Sequence, residues 1–230
     1  LGGVASGAML VWGALVESKR IEIERRTLAL PRWPGSLDGF RIVVLGDFHL
    51  RDRYTFELAR EACELALIER PDMVVLVGDM VGYWKPDSNG LIGDALEPLR
   101  ALRGRVVAIP GNHDYWRGLP EFMMPVLDEL GIPLLRNESI RLADVTWVGV
   151  DSANAGRANP YLAMPPDAQE PIVALWHEPD VVNYLPDGAA LMISGHSHGG
   201  QFRFPGGFTP MHTRNGRRYV RGFYPDTKTP

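Results

Sequence analysis

The chain has 230 residues, 45% of them hydrophobic, and a formal net charge of −4. That is enough apolar material for one domain with a substantial core. The single cysteine, Cys63, excludes an internal disulfide, and with it any need for an oxidising compartment.

The chain opens on LGGVASGAMLVWGALV, a stretch without a charge before Glu17. A spanning helix takes about twenty apolar residues and a signal-peptide core about 7–15. Residues 1–18 are therefore expected to be a truncated membrane anchor or signal-anchor, with an ordinary N-terminal arm as the alternative. Lys19, Arg20, Arg25 and Arg26 follow, mixed with Glu17, Glu22 and Glu24, so charge does not orient the segment. Residues 19–40 read as a linker and first strand region, because LALPRWPGSLDGF (28–40) is rich in proline and glycine.

From residue 41 one theme repeats: a short apolar run that ends in a polar cluster. RIVVLGDFH ends in Gly46-Asp47-Phe48-His49, and DMVVLVGD in Gly78-Asp79. RVVAIPGNHD ends in Gly111-Asn112-His113-Asp114, PIVALWHEPD in His177-Glu178, and ALMISGHSHGG in His196 and His198. Unbroken aliphatic runs of this length suit strands buried on both faces. Helical spacing predicts helices over 55–69 and 91–102, and Cys63 falls on the packed face of the first. A third helix is expected over 119–131, ending at Gly131 and distorted or divided by Pro125. Residues 140–152 read as paired or consecutive strands. Alternating strands and helices with extra strands predict an α/β layered fold whose strand ends face one cleft.

Residues 203–230 carry six basic side chains and one acidic, beside an otherwise acidic body. Such a stretch suits phosphate groups or an anionic membrane surface, and equally a solvated basic hairpin.

Five of the six histidines (49, 113, 177, 196 and 198) fall at the ends of the apolar runs, alongside Asp47, Asp79 and Asn112. Singly, each has a plain explanation: Gly-Asp after a strand is commonly a turn, Asn112 is a common turn residue, and a lone His177 is more often structural. Together they form a metal-ligand set. In an extended segment residues i and i+2 point the same way, so His196 and His198 can converge on one point. Mixed carboxylate, imidazole and amide donors suit Mn, Fe or Zn, and the lack of a cysteine cluster argues against a structural zinc site.

These motifs, in this order, resemble those of the calcineurin-like metallophosphoesterases. The wording GDFH…VLVGD…IPGNHDYW…WHEPD…SGHSHGGQF is most similar to a membrane-associated bacterial branch, over residues 41 to about 205. The resemblance implies an α/β fold of two packed β-sheets flanked by helices, with 41–230 as the catalytic domain. It implies two divalent metal ions: Asp47, His49, Asp79 and His198 on one, and Asp79 again with Asn112, His177 and His196 on the other. His113 is then the catalytic histidine, held by Asp114, and a metal-bridging hydroxide attacks the phosphate ester.

Tyr83, Trp84, Tyr115 and Trp116 follow two of the metal motifs, where they either wall a substrate groove or pack under the loops. The apolar opening and the basic end favour an envelope or lipid-linked phosphate ester and a location at the cell membrane. A soluble nucleotide phosphodiesterase is the alternative, and a non-catalytic protein-binding scaffold is the second. No nucleic-acid partner is expected, and the sequence does not bear on oligomeric state.

Overall fold

The computed structural model describes residues 20–164, 166–200 and 212–230. The expected anchor over 1–18 lies outside the described residues. The apolar runs form two sheets. In the first, β1 (Ile42–Leu45), β2 (Met73–Val77) and β3 (Val106–Ile109) pair in parallel in that order. In the second, β4 (Glu138–Leu142) and β5 (Val145–Val150) are antiparallel, and β6 (Ile172–Trp176) and β7 (Leu191–Ile193) extend the sheet in parallel.

Strand β2 shows why an unbroken apolar run was needed. Side chains alternate across a strand, so Val74 and Leu76 pack against the helices while Met73, Val75 and Val77 face the second sheet. From the other side, β5 contributes Val145 and Trp147, and β6 contributes Val173 and Leu175, to the layer between the sheets. The outer face of β6, with Ile172, Ala174 and Trp176, packs on Val181 and Leu185. Both sheets are thus covered twice, and the two-sheet α/β sandwich expected from the motifs is the observed architecture.

Helix α1 (Arg53–Ile68) starts at a reciprocal cap: Asp52 accepts from the Thr55 N–H, and the Thr55 hydroxyl accepts from the Asp52 N–H. Cys63 is fully buried on its inner face, and burial pushes its thiol up to about 12. The helix expected over 91–102 is α2 (Ser88–Leu96), continued as a 3-10 turn over Glu97–Leu102. Pro98 accounts for the change, because it lacks an N–H and crowds the turn before it. The third helix is divided as well. A 3-10 turn over Pro120–Met123 leads into α3 (Met124–Leu130), with Pro125 in the first turn, where no N–H is missed, and Gly131 capping at φ 72°. A short helix, α4 (Pro160–Ala163), follows β5.

No strand forms within 20–40 among the described residues; the first strand begins at Ile42. Instead Leu28, Leu30, Trp33, Leu37 and Phe40 pack on the layer between the sheets, with Trp33 edge-on to Phe40 at 5.7 Å. The proline-rich stretch is thus a clasp on the domain, because its apolar residues gain more by covering the sheet edge than by remaining in water. The chain end is tied down too. Asp180 accepts backbone N–H groups from Arg217, Arg218 and Tyr219, Arg221 pairs with Glu24, and the Pro230 carbonyl accepts from Met192 of β7.

Candidate metal centre

All strands of the first sheet run parallel, as do β5, β6 and β7, so their C-terminal ends lie along common edges. The loops leaving β1, β2, β3, β6 and β7 meet there. Asp47 N–H donates to the Gly78 carbonyl at 3.0 Å, His49 N–H to Asp79 at 2.9 Å, and Gly195 N–H to His177 at 3.1 Å. Tight crossing demands small residues. A Cβ on Gly111 would stand 2.2 Å from Asp79 Oδ1, and one on Gly78 would stand 2.5 Å from the Gly111 nitrogen.

The backbone is strained at the same place. Asp47, His49, Asp79, His196 and His198 all have φ between 46° and 69°. Left-handed backbone in a non-glycine residue costs about 1–3 kcal/mol at such sites, and persists where surrounding contacts enforce it. Here it turns each side chain off its strand axis towards one point.

The side chains converge as two groups that share Asp79. The ligating atoms of Asp47, His49, Asp79 and His198 all lie within 4.8 Å of one another, and so do those of Asp79, His177 and His196. His49 Nε2 is 3.0 Å from His198 Nε2, and His177 Nε2 is 3.2 Å from both Asp79 Oδ2 and His196 Nδ1. Asn112 sits on the β3 loop, and its Oδ1 is buried without a hydrogen-bond partner. A carbonyl-type oxygen left unpaired is costly to bury unless a cation takes it. The seven residues therefore fit divalent ions by donor type and by this orphaned acceptor.

Backbone carbonyls orient the rings. His177 Nδ1 faces the Val77 carbonyl at 2.6 Å, and His196 Nε2 faces that of Arg214 at 2.7 Å. A carbonyl only accepts, so those nitrogens carry hydrogens, and His177 Nε2 and His196 Nδ1 are the ring atoms turned to the site. Burial pulls His49 down to about 4 despite the Asp79 charge, and burial followed by the His177 charge pulls His196 down, so both offer neutral nitrogens at pH 7. Burial opposes ionisation of Asp79, yet His177, His49 and the His113 N–H hold its carboxyl well below the usual range. Burial also opposes charging of His177, but the Asp79 carboxylate overrides it and lifts the imidazole to about 10.

A cation competes with that His177 proton. Apparent Mn²⁺ affinity is thus expected to fall about tenfold per pH unit on acidification below that value, one proton being displaced per ion. Competition against a chelator at pH 6.5 and 8.5 measures it; a pH-independent affinity would contradict the assignment of His177. In metal-stripped protein the same pair stabilises the fold fully below the unfolded imidazole value, roughly 6.5. That contribution fades as pH rises towards about 10.

His113 stands beside these two groups and belongs to neither. Its N–H donates to Asp79 Oδ1 at 2.7 Å, its Nδ1 faces the Gly82 carbonyl at 2.8 Å, and its ring lies 3.7 Å from that of Trp116. The expected hold of Asp114 on this ring is corrected here. The fully buried Asp114 carboxylate accepts instead from the N–H groups of Gly111, at 2.8 Å, and Val81, at 3.1 Å. Its burial, with the Asp79 charge nearby, pushes it up to about 7. Asp114 braces the β3 loop against the β2 loop, and Gly82 orients the imidazole. Gly82 went unnoticed in the sequence because a carbonyl partner leaves no side-chain signature.

The four aromatics differ in burial and in partners. Trp84 is nearly buried, and its Nε1–H donates to the Asp114 carbonyl at 2.6 Å. The Tyr115 hydroxyl donates to the buried Asp151 carboxylate at 2.7 Å, which also accepts from Arg136 at 3.0 Å. Trp116 is 52% exposed over His113, and Tyr83 lies under the cations of Lys85 and Arg117. Glu178 is a further buried support. It takes the Ser152 hydroxyl and the N–H groups of Ala153 and Asn154, and the Asn154 amide reaches the Arg214 carbonyl beside His196. Its position directly after His177 was its only trace in the sequence.

Comparison with known proteins agrees with this geometry. The family model for calcineurin-like phosphoesterases matches residues 40–200. The phosphodiesterase YaeI of Escherichia coli (strain K12) is 31% identical over 190 residues, covering 80% of this chain and 69% of the relative. The UDP-2,3-diacylglucosamine pyrophosphatase LpxG of Chlamydia muridarum (strain MoPn / Nigg) is 26% identical over 249 residues, covering 85% and 74%. A transmembrane protein with metallophosphoesterase domain from Danio rerio is 27% identical over 225 residues, covering 88% and 50%. With its two-sheet fold and its Asp and His clusters at the strand ends, the chain belongs to the calcineurin-like phosphoesterases and is a phosphoric ester hydrolase.

Proposed function

We propose that the protein is a two-metal phosphoesterase acting on an envelope or lipid-linked phosphate ester. The observation that carries the two-metal reading is the pair of ligand groups sharing the buried Asp79. Asp47, His49, Asp79 and His198 would hold one ion, and Asp79, Asn112, His177 and His196 the other, with Mn, Fe or Zn suited to the donors. Bound there, the ions supply charge neutralisation at phosphorus and a water acidic enough to act as nucleophile.

The chain's own residues do the rest. Nδ1–H of His113 is committed to the Gly82 carbonyl, so Nε2 becomes a donor only when the ring is cationic. In that state it hands a proton to the leaving oxygen. Asp114, through Gly111 and Val81, keeps the loop carrying Asn112 and His113 against Asp79.

An amphiphilic substrate is supported by exposed apolar side chains: Trp116 over His113, and Leu119, Phe122 and Met124 in the segment that follows it. The names of the relatives, a diacylglucosamine pyrophosphatase and a transmembrane protein among them, lean the same way. Among the described residues no helix is long and apolar enough to cross a membrane, so attachment would rest on residues 1–18, aided by the basic residues near the chain end.

The test is a turnover screen with Mn²⁺ added, comparing p-nitrophenyl esters, nucleotides and UDP-linked lipids. Chelator-sensitive hydrolysis with the highest kcat/KM on a lipid-linked substrate is the expected result. Preference for free nucleotides would replace the substrate reading, and chelator-insensitive turnover would remove the metal reading.

A further inference from the structure

A cleft of about 410 Å³ is lined by Trp84, Lys85, Pro86, Asn89, Arg117 and Phe122. Its walls come from the segments that follow Gly82 and His113, joined where Trp84 donates to the Asp114 carbonyl. Tyr83, Trp84 and Lys85 follow Gly82, whose carbonyl faces the His113 ring, and Arg117 lies four residues beyond His113. The Lys85 ammonium donates to the Arg51 carbonyl at 2.7 Å, two residues past His49. The far wall is apolar: Trp84 meets Phe122 edge-on at 5.4 Å, and Phe122 is about half exposed.

The charges in this cleft are uncompensated. Arg51, Arg53, Arg60, Arg100 and Arg136 all pair with carboxylates. Lys85 and Arg117 have no ion pair among the described residues, and lie instead 5.1 Å and 4.8 Å from the centre of one ring, that of Tyr83. In a chain of net negative charge, two such cations on one aromatic platform beside a phosphoesterase site favour an anionic ligand. Arginine and lysine together suit a phosphoryl group, one as a planar fork and the other as a point charge.

We propose that this cleft is the subsite for the leaving side of the substrate, and that it takes a second phosphoryl group between Lys85 and Arg117. The group attached beyond it lies against Trp84 and Phe122. This rests on the hydrolytic reading above and narrows it to a diphosphate linkage. Water's oxygen bonds to the first phosphorus and the bridging P–O bond breaks. The second phosphate departs with the bridging oxygen, which takes the proton from His113 Nε2, and water's proton is lost to solvent.

The test uses the Mn²⁺-loaded full chain and the double variant Lys85→Gln/Arg117→Gln, with thermal midpoints confirming that both fold. Substrates are UDP-N-acetylglucosamine, CDP-diacylglycerol in phosphatidylcholine vesicles, and bis(p-nitrophenyl) phosphate, which has a single phosphoryl group. The kcat/KM ratio of each diphosphate to the single-phosphoryl diester is expected to fall about tenfold or more in the double variant, as loss of charge-assisted hydrogen bonds predicts. The diphosphate with the higher wild-type kcat/KM identifies a soluble or a membrane source. Binding is read separately by calorimetry in the metal-loaded His113→Ala background, where the same double substitution should raise the Kd for UDP-N-acetylglucosamine about tenfold. Equal losses on all substrates, or an unchanged Kd, would overturn the subsite. Cation-dependent binding without turnover of any ester by wild type would uphold the subsite and remove the hydrolytic reading instead.

Discussion

Asp79→Ala is expected to lose both metal ions and to abolish turnover. Asp79 is the residue common to the two ligand groups, is 1% exposed, and touches His177 and the His113 N–H directly. Removing a group that merely orients a ligand weakens metal affinity about 10–100-fold, so removing a shared ligand should exceed that at both positions. Asp47→Ala touches one group only and should cost about one ion. Because breaking a buried ion pair destabilises by about 3–5 kcal/mol, Asp79→Asn is the companion variant. It keeps an acceptor for the His113 N–H while halving the ligand's oxygens and removing its charge. Elemental analysis of chelator-free preparations, with circular dichroism for folding, decides the matter. Full metal content in a folded Asp79→Asn protein would contradict the shared-ligand reading.

His113→Ala should behave in the opposite way, retaining metal while turnover falls about 10²–10⁴-fold, the usual size of a lost general acid. His113 contributes to neither ligand group, and its ring stacks on Trp116 at the open side of the site. With Nδ1–H held by Gly82, only the cationic ring can donate from Nε2. The defect should also be smaller on a p-nitrophenyl ester, whose leaving group needs little protonation. Metal loss equal to that of His198→Ala would show that His113 is a ligand after all.

Much of the fold was legible because it rests on local composition. The run Met73–Val77 is apolar at every position, which suits only a strand covered on both faces, and β2 is covered on both faces. Gly131 after the apolar positions of α3 marked that helix end correctly. Pro125 marked a departure from regular helix, yet not its form, and the change at Pro98 went unread. Whether a proline divides a helix or opens its first turn depends on which residues the neighbouring elements bury.

By itself the sequence determined the donor types and their places after the apolar runs: Asp47, His49, Asp79, Asn112, His113, His177, His196 and His198. Strand ends are readable from composition, and metal chemistry from side-chain identity. The family resemblance implied how they group, and the tertiary structure supplies the reason: parallel pairing of segments far apart in the chain and left-handed backbone at five of those positions. It alone decided the partners that orient the rings, the carbonyls of Val77, Gly82 and Arg214, since every residue carries a carbonyl and none advertises its use. It moved Asp114 from the imidazole to the loop backbone and turned the proline-rich stretch into a clasp on the sheets. In both cases the deciding factor was burial, which forces polar groups to find partners and apolar ones to find cover, and burial exists only once the sheets have closed on each other.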